Sequence, residues 1–152
     1  MKEIKVAPIK NGTVIDHIAC GMAFKVLKVL GISDGEVDST VSVLMHVPSK
    51  KMGWKDIVKV EDKELEQIEV DKISLVAPEA SINIIRNYEV VEKMNVSLPD
   101  VAIGILKCGN PNCVTNANEP VETEFTLKSK EPIRLNCKYC DRELDDIVDH
   151  II

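Results

Sequence analysis

The chain has 152 residues, 45% hydrophobic and 29% charged, with a formal net charge of −6 at pH 7. That length supports one ordinary domain or two small ones, and that balance belongs to a folded, soluble chain, not a disordered one. The acidic charge weighs against a general nucleic-acid binder, whose domains are basic, and no apolar run approaches the roughly 20 residues of a membrane helix.

Residues 2–9 alternate, with Ile4, Val6 and Pro8 on one side and Lys5, Ala7 and Ile9 on the other, which predicts a strand. The opening MKEIKVAPIK mixes charged and apolar residues, unlike a signal peptide. A reducing compartment is therefore expected. Asn11-Gly12 signals a turn, and Thr13 to Ile15 resumes extended chain. Asp16 is placed to cap a helix, its carboxylate accepting from the free amides of a first turn. Ile18, Met22, Ala23, Val26, Leu27 and Leu30 then form one apolar helical face, with Cys20 on it as a small core residue. Gly31 is a C-terminal helix glycine.

Residues 37–47 alternate Val37, Ser39, Val41 and Val43 against Asp38, Thr40, Ser42 and Leu44, the pattern of a strand. Pro48 to Gly53 reads as a polar loop and Trp54 to Val60 as a second strand. On that strand Asp56, Val58 and Val60 share the core face, so Lys55, Ile57 and Lys59 point outward. Asp62 to Ile68 is acidic and helix-prone, with Leu65 and Ile68 inward. Ile73 to Val76, Ser81 to Ile85 and Tyr88 to Val91 read as short strands. This order predicts an α+β sandwich with two helices on one face of a sheet.

Ser97-Leu98-Pro99-Asp100 reads as a domain boundary. Beyond it, strand-like runs fall at Val121 to Leu127 and Pro132 to Asn136. The remainder is too small to bury much apolar surface, so a metal would supply much of its stability. Cys108 and Cys113 are separated by four residues, Cys137 and Cys140 by two, and the pairs by twenty-three. Two close pairs joined by a loop can wrap one tetrahedral ion with four thiolates, the usual arrangement of a structural zinc. In a reducing compartment a metal is favoured over disulfides. A redox iron site is the rival, though the two-residue gap usual there occurs only in the second pair. Lys107, Lys138 and Arg142 could offset the charge of four thiolates, and Asn110-Pro111-Asn112 could aim backbone amides at sulfur.

The outward pair Lys55 and Lys59 is either a solvated face or part of a polyphosphate site. Asn83, Tyr88 and Lys93 would extend such a site if the last strands lie beside this one. No nucleophile–base pair, phosphate-cradling glycine loop or zinc-protease motif is present, so a catalytic reading is poor. A zinc ribbon binding nucleic acid is disfavoured because residues 99–152 hold ten Asp/Glu against six Lys/Arg.

GTVIDHI (Gly12 to Ile18), MGWKDIVKVE (Met52 to Glu61), NYEVVEK (Asn87 to Lys93) and SLPD (Ser97 to Asp100), together with KCGNPNC and CKYC, resemble the regulatory chain of aspartate carbamoyltransferase over nearly the whole length. The resemblance implies a non-catalytic, cytoplasmic subunit of pyrimidine biosynthesis. Residues 1–98 would be a ferredoxin-like α/β sandwich, an allosteric domain pairing with a second regulatory chain. Residues 99–152 would be a small zinc-bound, rubredoxin-like β domain docking on the catalytic chain of a dodecameric holoenzyme. ATP and CTP would compete for one site, with UTP able to act alongside CTP. The nucleotide-contacting motifs fall on Val6, Ile9, Val14, Asp16, His17, Lys55, Lys59, Asn83, Ile85, Tyr88, Val90 and Lys93. One structural zinc would be held by Cys108, Cys113, Cys137 and Cys140. Neither nucleic acid nor a membrane would be a partner. Ala7-Pro8 departs from the acidic residue and alanine of the family, and a proline there removes a backbone donor.

Overall fold

The computed structural model describes residues 8–32, 38–117 and 121–152. The chain divides into two compact units, Met1–Val96 and Ser97–Ile152. Most of the strand expected over residues 2–9, and Val37, lie outside the described residues; Pro8 and Ile9 are not in a strand.

The first unit runs β1 (Gly12–Ala19), α1 (Ala23–Val29), β2 (Val41–Ser49), β3 (Gly53–Glu61), α2 (Gln67–Ser74), β4 (Ser81–Arg86) and β5 (Glu89–Asn95). Its strands lie in the order β2-β3-β1-β4-β5, each antiparallel to its neighbours. This is the ferredoxin-like βαββαβ sandwich with one added edge strand. Thr13, Ile15, Ile18, Val58, Ile82 and Ile84 are buried in its core with Ala23 and Val26 of α1 and Val70 and Ile73 of α2. Each fully buried isoleucine contributes about 1.5–3 kcal/mol.

Two elements of the first unit differ most from the sequence expectation. Asp16 caps no helix; β1 continues through it to Ala19, and the helix starts seven residues later. The cause is a β-bulge: Ile15 pairs with Val58 but Ile18 with Asp56, so Asp16 and His17 together face one partner residue. The extra residue returns both isoleucines to the core, and a three-residue spacing of buried side chains imitates a helix. His17 takes a positive φ of 57° there. Cys20 is consequently an exposed turn residue, not a core one.

The second difference is α2, which begins at Gln67 and absorbs Ile73 and Ser74, expected in a strand. Its start is set by a capping box in which Glu66 and Glu69 satisfy each other's backbone amides, and that reciprocal bonding outweighs the helix propensity of the preceding acidic run. Val70 and Ile73 form the inner face, while Ile68 is exposed. At the end of α1, Gly31 has φ 75°, the Ile32 amide bonds the Leu27 carbonyl, and the Gly31 amide bonds that of Lys28. This is a Schellman cap. At Gly12, φ is 142°, and a Cβ would overlap the Val60 carbonyl oxygen, so the Asn11-Gly12 turn admits only glycine.

The second unit carries a three-stranded antiparallel sheet, β6 (Val101–Ile103), β7 (Glu124–Lys130) and β8 (Ile133–Cys137), in that order. Phe125, Leu106 and Leu135 form a core of few side chains. The C-terminal residues close onto it: Lys107 donates to the His150 carbonyl, and Ile152 to that of Ile105.

Candidate metal centre and candidate binding face

In the second unit, Cys108 and Cys113 flank the loop 109–112, Cys137 ends β8, and Cys140 follows in the turn after it. The four sulfurs all lie within 4.8 Å of one another. Cys108 Sγ is 3.7 Å from Cys140 Sγ, and Cys113 Sγ is 3.7 Å from Cys137 Sγ. A disulfide needs about 2.05 Å. A tetrahedron with metal–sulfur bonds of about 2.3 Å has edges of about 3.8 Å, and the quartet fits it. The sheet therefore brings two distant cysteine pairs into one soft-metal donor set.

The loops around the sulfurs repeat one device. Cys108 accepts from the Asn110 amide, Cys113 from that of Thr115, Cys137 from those of Cys140 and Tyr139, and Cys140 from that of Arg142. Each sulfur thus has an amide donor two residues onward, a second shell that orients thiolates and spreads their charge. Thr115 Oγ1 adds a bond to Cys113 Sγ at 3.2 Å. Asn116 Nδ2 locks the first loop through the carbonyls of Cys108 at 2.9 Å and Asn110 at 2.7 Å. Thr115 and Asn116 were not legible as site residues, since nothing in the sequence distinguishes them from ordinary turn residues. Lys138 Nζ is ion-paired with Glu124 at 3.0 Å.

In the metal-free chain the thiols separate in acidity. Burial pushes Cys108 up to about 12 and also raises Cys137. Burial pushes the same way at Cys140, but the Arg142 amide and then Asn110 outweigh it and bring that thiol down to about 7. Cys113 is likewise lowered, its bonds from Thr115 overcoming burial. Close-set sulfurs cannot all carry charge alone; a divalent cation would let all four ionise.

In the first unit, the sheet face opposite the helices carries most of the other predicted residues. Val14 pairs with Lys59 on one side and Asn83 on the other, and Asn83 pairs with Lys93. Directly paired residues share a face, so Lys59, Val14, Asn83 and Lys93 form one row across four strands. Asn83 Nδ2 bonds the Val14 carbonyl at 3.3 Å. Along one side of the row lie Asp16 and Lys55, ion-paired at 2.9 Å, and His17, whose Nδ1 is 3.1 Å from Ser81 Oγ. Ser81 was missed in the sequence, though it stands two residues from Asn83 on the same face. Along the other side, Ile85 pairs with Gly12 and Val90. Tyr88 occupies the β4–β5 turn with φ 65°, and its amide bonds the Lys10 carbonyl at 2.9 Å, next to the buried Ile9. Val6 lies outside the described residues.

Asp56 carries no ligand-facing role but positions this region. It is fully buried, on the core face of β3 as its alternation with Val58 and Val60 predicts. Its Oδ2 accepts from the Gly21 amide at 2.9 Å and the Ala23 amide at 3.1 Å. Its Oδ1 accepts from the His46 amide at 3.0 Å. It caps α1 from a neighbouring strand, the task the sequence reading gave to Asp16.

Two family models match the chain. One described as aspartate carbamoyltransferase regulatory chain, allosteric domain, matches residues 4–97. One described as the metal binding domain of the same chain matches residues 100–148. The sequence is 57% identical over 145 residues to a protein of Methanothrix thermoacetophila named aspartate carbamoyltransferase regulatory chain, covering 95% of this chain and 94% of the relative. It is 56% identical over 146 residues to a protein of the same name from Pyrococcus horikoshii, covering 96% and 95%. A third, from Methanothermobacter thermautotrophicus, is 52% identical over 147 residues, covering 95% and 93%.

Proposed function

The chain belongs to the family of aspartate carbamoyltransferase regulatory chains, and from that premise we propose a two-part regulatory device within pyrimidine biosynthesis. Residues 1–98 bind nucleoside triphosphates, ATP and CTP in competition and UTP alongside CTP, on the open face of the sheet. Residues 99–152 hold one structural zinc and dock on the catalytic chain. The regulatory chains pair as homodimers within a cytoplasmic dodecameric holoenzyme. Neither nucleic acid nor a membrane takes part; among the described residues no helix is long and apolar enough to cross one.

The observation that carries this reading is the row Lys59–Val14–Asn83–Lys93. Its two lysines stand three strand spacings apart, about 14 Å, and their flexible stems can converge on a polyphosphate over the strands between them. Asn83 and the Asp16 carboxylate offer the polar groups a base and ribose require. A nucleotide changes activity only by binding the quaternary states unequally, with a coupling of about 1–3 kcal/mol. The four-thiolate set leaves no open coordination position, which supports a structural metal and not a catalytic one.

Calorimetric titration tests the nucleotide site. Lys59→Ala and Lys93→Ala are each expected to weaken ATP and CTP about tenfold, the loss of one charge-assisted contact. Lys55→Ala is expected to cost less, because Lys55 is already engaged by Asp16. Unchanged affinity in both Lys59 and Lys93 variants would place the phosphates elsewhere.

A further inference from the structure

Cys20 stands apart from the metal-ligand quartet in chemistry as well as position. It is exposed in the turn after β1, and its Sγ lies 3.3 Å from His46 Nδ1. The contact is built by several independent features. A second bulge, between Leu44 and Val47 of β2, puts His46 at φ 58°, and bulges re-aim side chains in this way. The imidazole is stacked on Trp54, with ring centroids 3.9 Å apart and planes 11° from parallel. The His46 amide is held by Asp56 Oδ1, while Asp56 Oδ2 holds the Gly21 amide beside Cys20. One buried carboxylate thus fixes the backbone on both sides of the sulfur–imidazole contact. Cys20 is itself exposed, and a Cβ at the adjoining Gly21 would meet nothing within 4 Å.

We propose that Cys20 and His46 form a modification site at which Cys20 takes up a low-molecular-weight disulfide, with His46 as the base. With its ring proton on Nε2, His46 accepts the Cys20 proton at Nδ1. The thiolate attacks one sulfur of the disulfide; that S–S bond breaks as the Cys20–S bond forms. The departing thiolate recovers the proton from the imidazolium. One disulfide is consumed, one mixed disulfide forms, and no further oxidant is needed. A nucleophile beside an oriented base is the arrangement that activates cysteine. The other four cysteines lack this: they face one another, and their amide donors suit them to a metal.

The test uses the metal-loaded full chain and the aromatic disulfide 5,5′-dithiobis(2-nitrobenzoate) at pH 7, followed by released thiolate and by peptide mass. One thiol per chain should react in a fast phase, carried by the Cys20 peptide and abolished by Cys20→Ser. His46→Ala and His46→Gln should each slow that phase about tenfold while circular dichroism stays unchanged. Equal rates in the parent and both His46 variants overturn the proposal. So does a parent Cys20 that reacts no faster than a synthetic peptide of residues 17–24.

Discussion

Stripping the metal from the full chain is expected to unfold residues 97–152 while leaving residues 1–96 folded. The second unit has a core of few side chains around Phe125, Leu106 and Leu135, and a structural zinc contributes about 10–16 kcal/mol in domains of this kind. Without it, three buried or nearly buried thiols and their neighbour Cys140 have no shared counter-ion. The only tryptophan, Trp54, belongs to the first unit, so its fluorescence should persist through chelation while far-ultraviolet dichroism loses only the part contributed by the three-stranded sheet of the second unit. The stripped chain should also fail to sediment with the catalytic chain, and nucleotide regulation should vanish while catalysis survives. Retained allostery in metal-free protein would sink the docking role. Acid acts in the same direction. Burial holds Cys108 up at about 12 in the metal-free chain, so loading must displace its proton at neutral pH. Lowering the pH therefore favours the metal-free form, increasingly below 7, where Cys140 also regains a proton. A dye-based metal-release titration should show release rising as pH falls.

The cysteine quartet was legible because ligand spacing is local and its chemistry admits few alternatives. The outward placement of Lys55 and Lys59 was legible from alternation on β3. Their relation to Asn83 and Lys93 was not, because it depends on β1 lying between β3 and β4 and on β5 flanking β4, a non-local pairing no sequence period encodes. The bulge at Asp16-His17 defeated the reading of β1 by restoring Ile18 to the core at helical spacing. Asp56 shows the same limit from the other side. Its charge among Val58 and Val60 was visible, yet its partners Gly21, Ala23 and His46 come from other elements. A carboxylate in an apolar alternation is itself the signal that such partners exist, since an unpartnered one would not stay buried.

Asp56→Ala is accordingly expected to be among the most damaging single substitutions in the first unit. It removes the acceptor of three backbone amides at once, those of Gly21, Ala23 and His46. An unsatisfied buried donor costs about 1–3 kcal/mol, so a total of about 3 kcal/mol or more is expected even with some water reaching the site. For a unit of this size that lowers the melting temperature by about 12–24 °C. Asp56→Asn keeps the shape and one acceptor oxygen but turns its NH2 group toward an amide donor; it should fall between the parent and the alanine variant. Urea unfolding followed by Trp54 fluorescence reads the first unit directly, and metal retention by the second unit should be unaffected. A loss below about 1 kcal/mol in Asp56→Ala would mean that water replaces the carboxylate freely. The carboxylate would then not hold α1, and the tie between the β1–α1 turn and the β2 bulge would have to lie in side-chain packing.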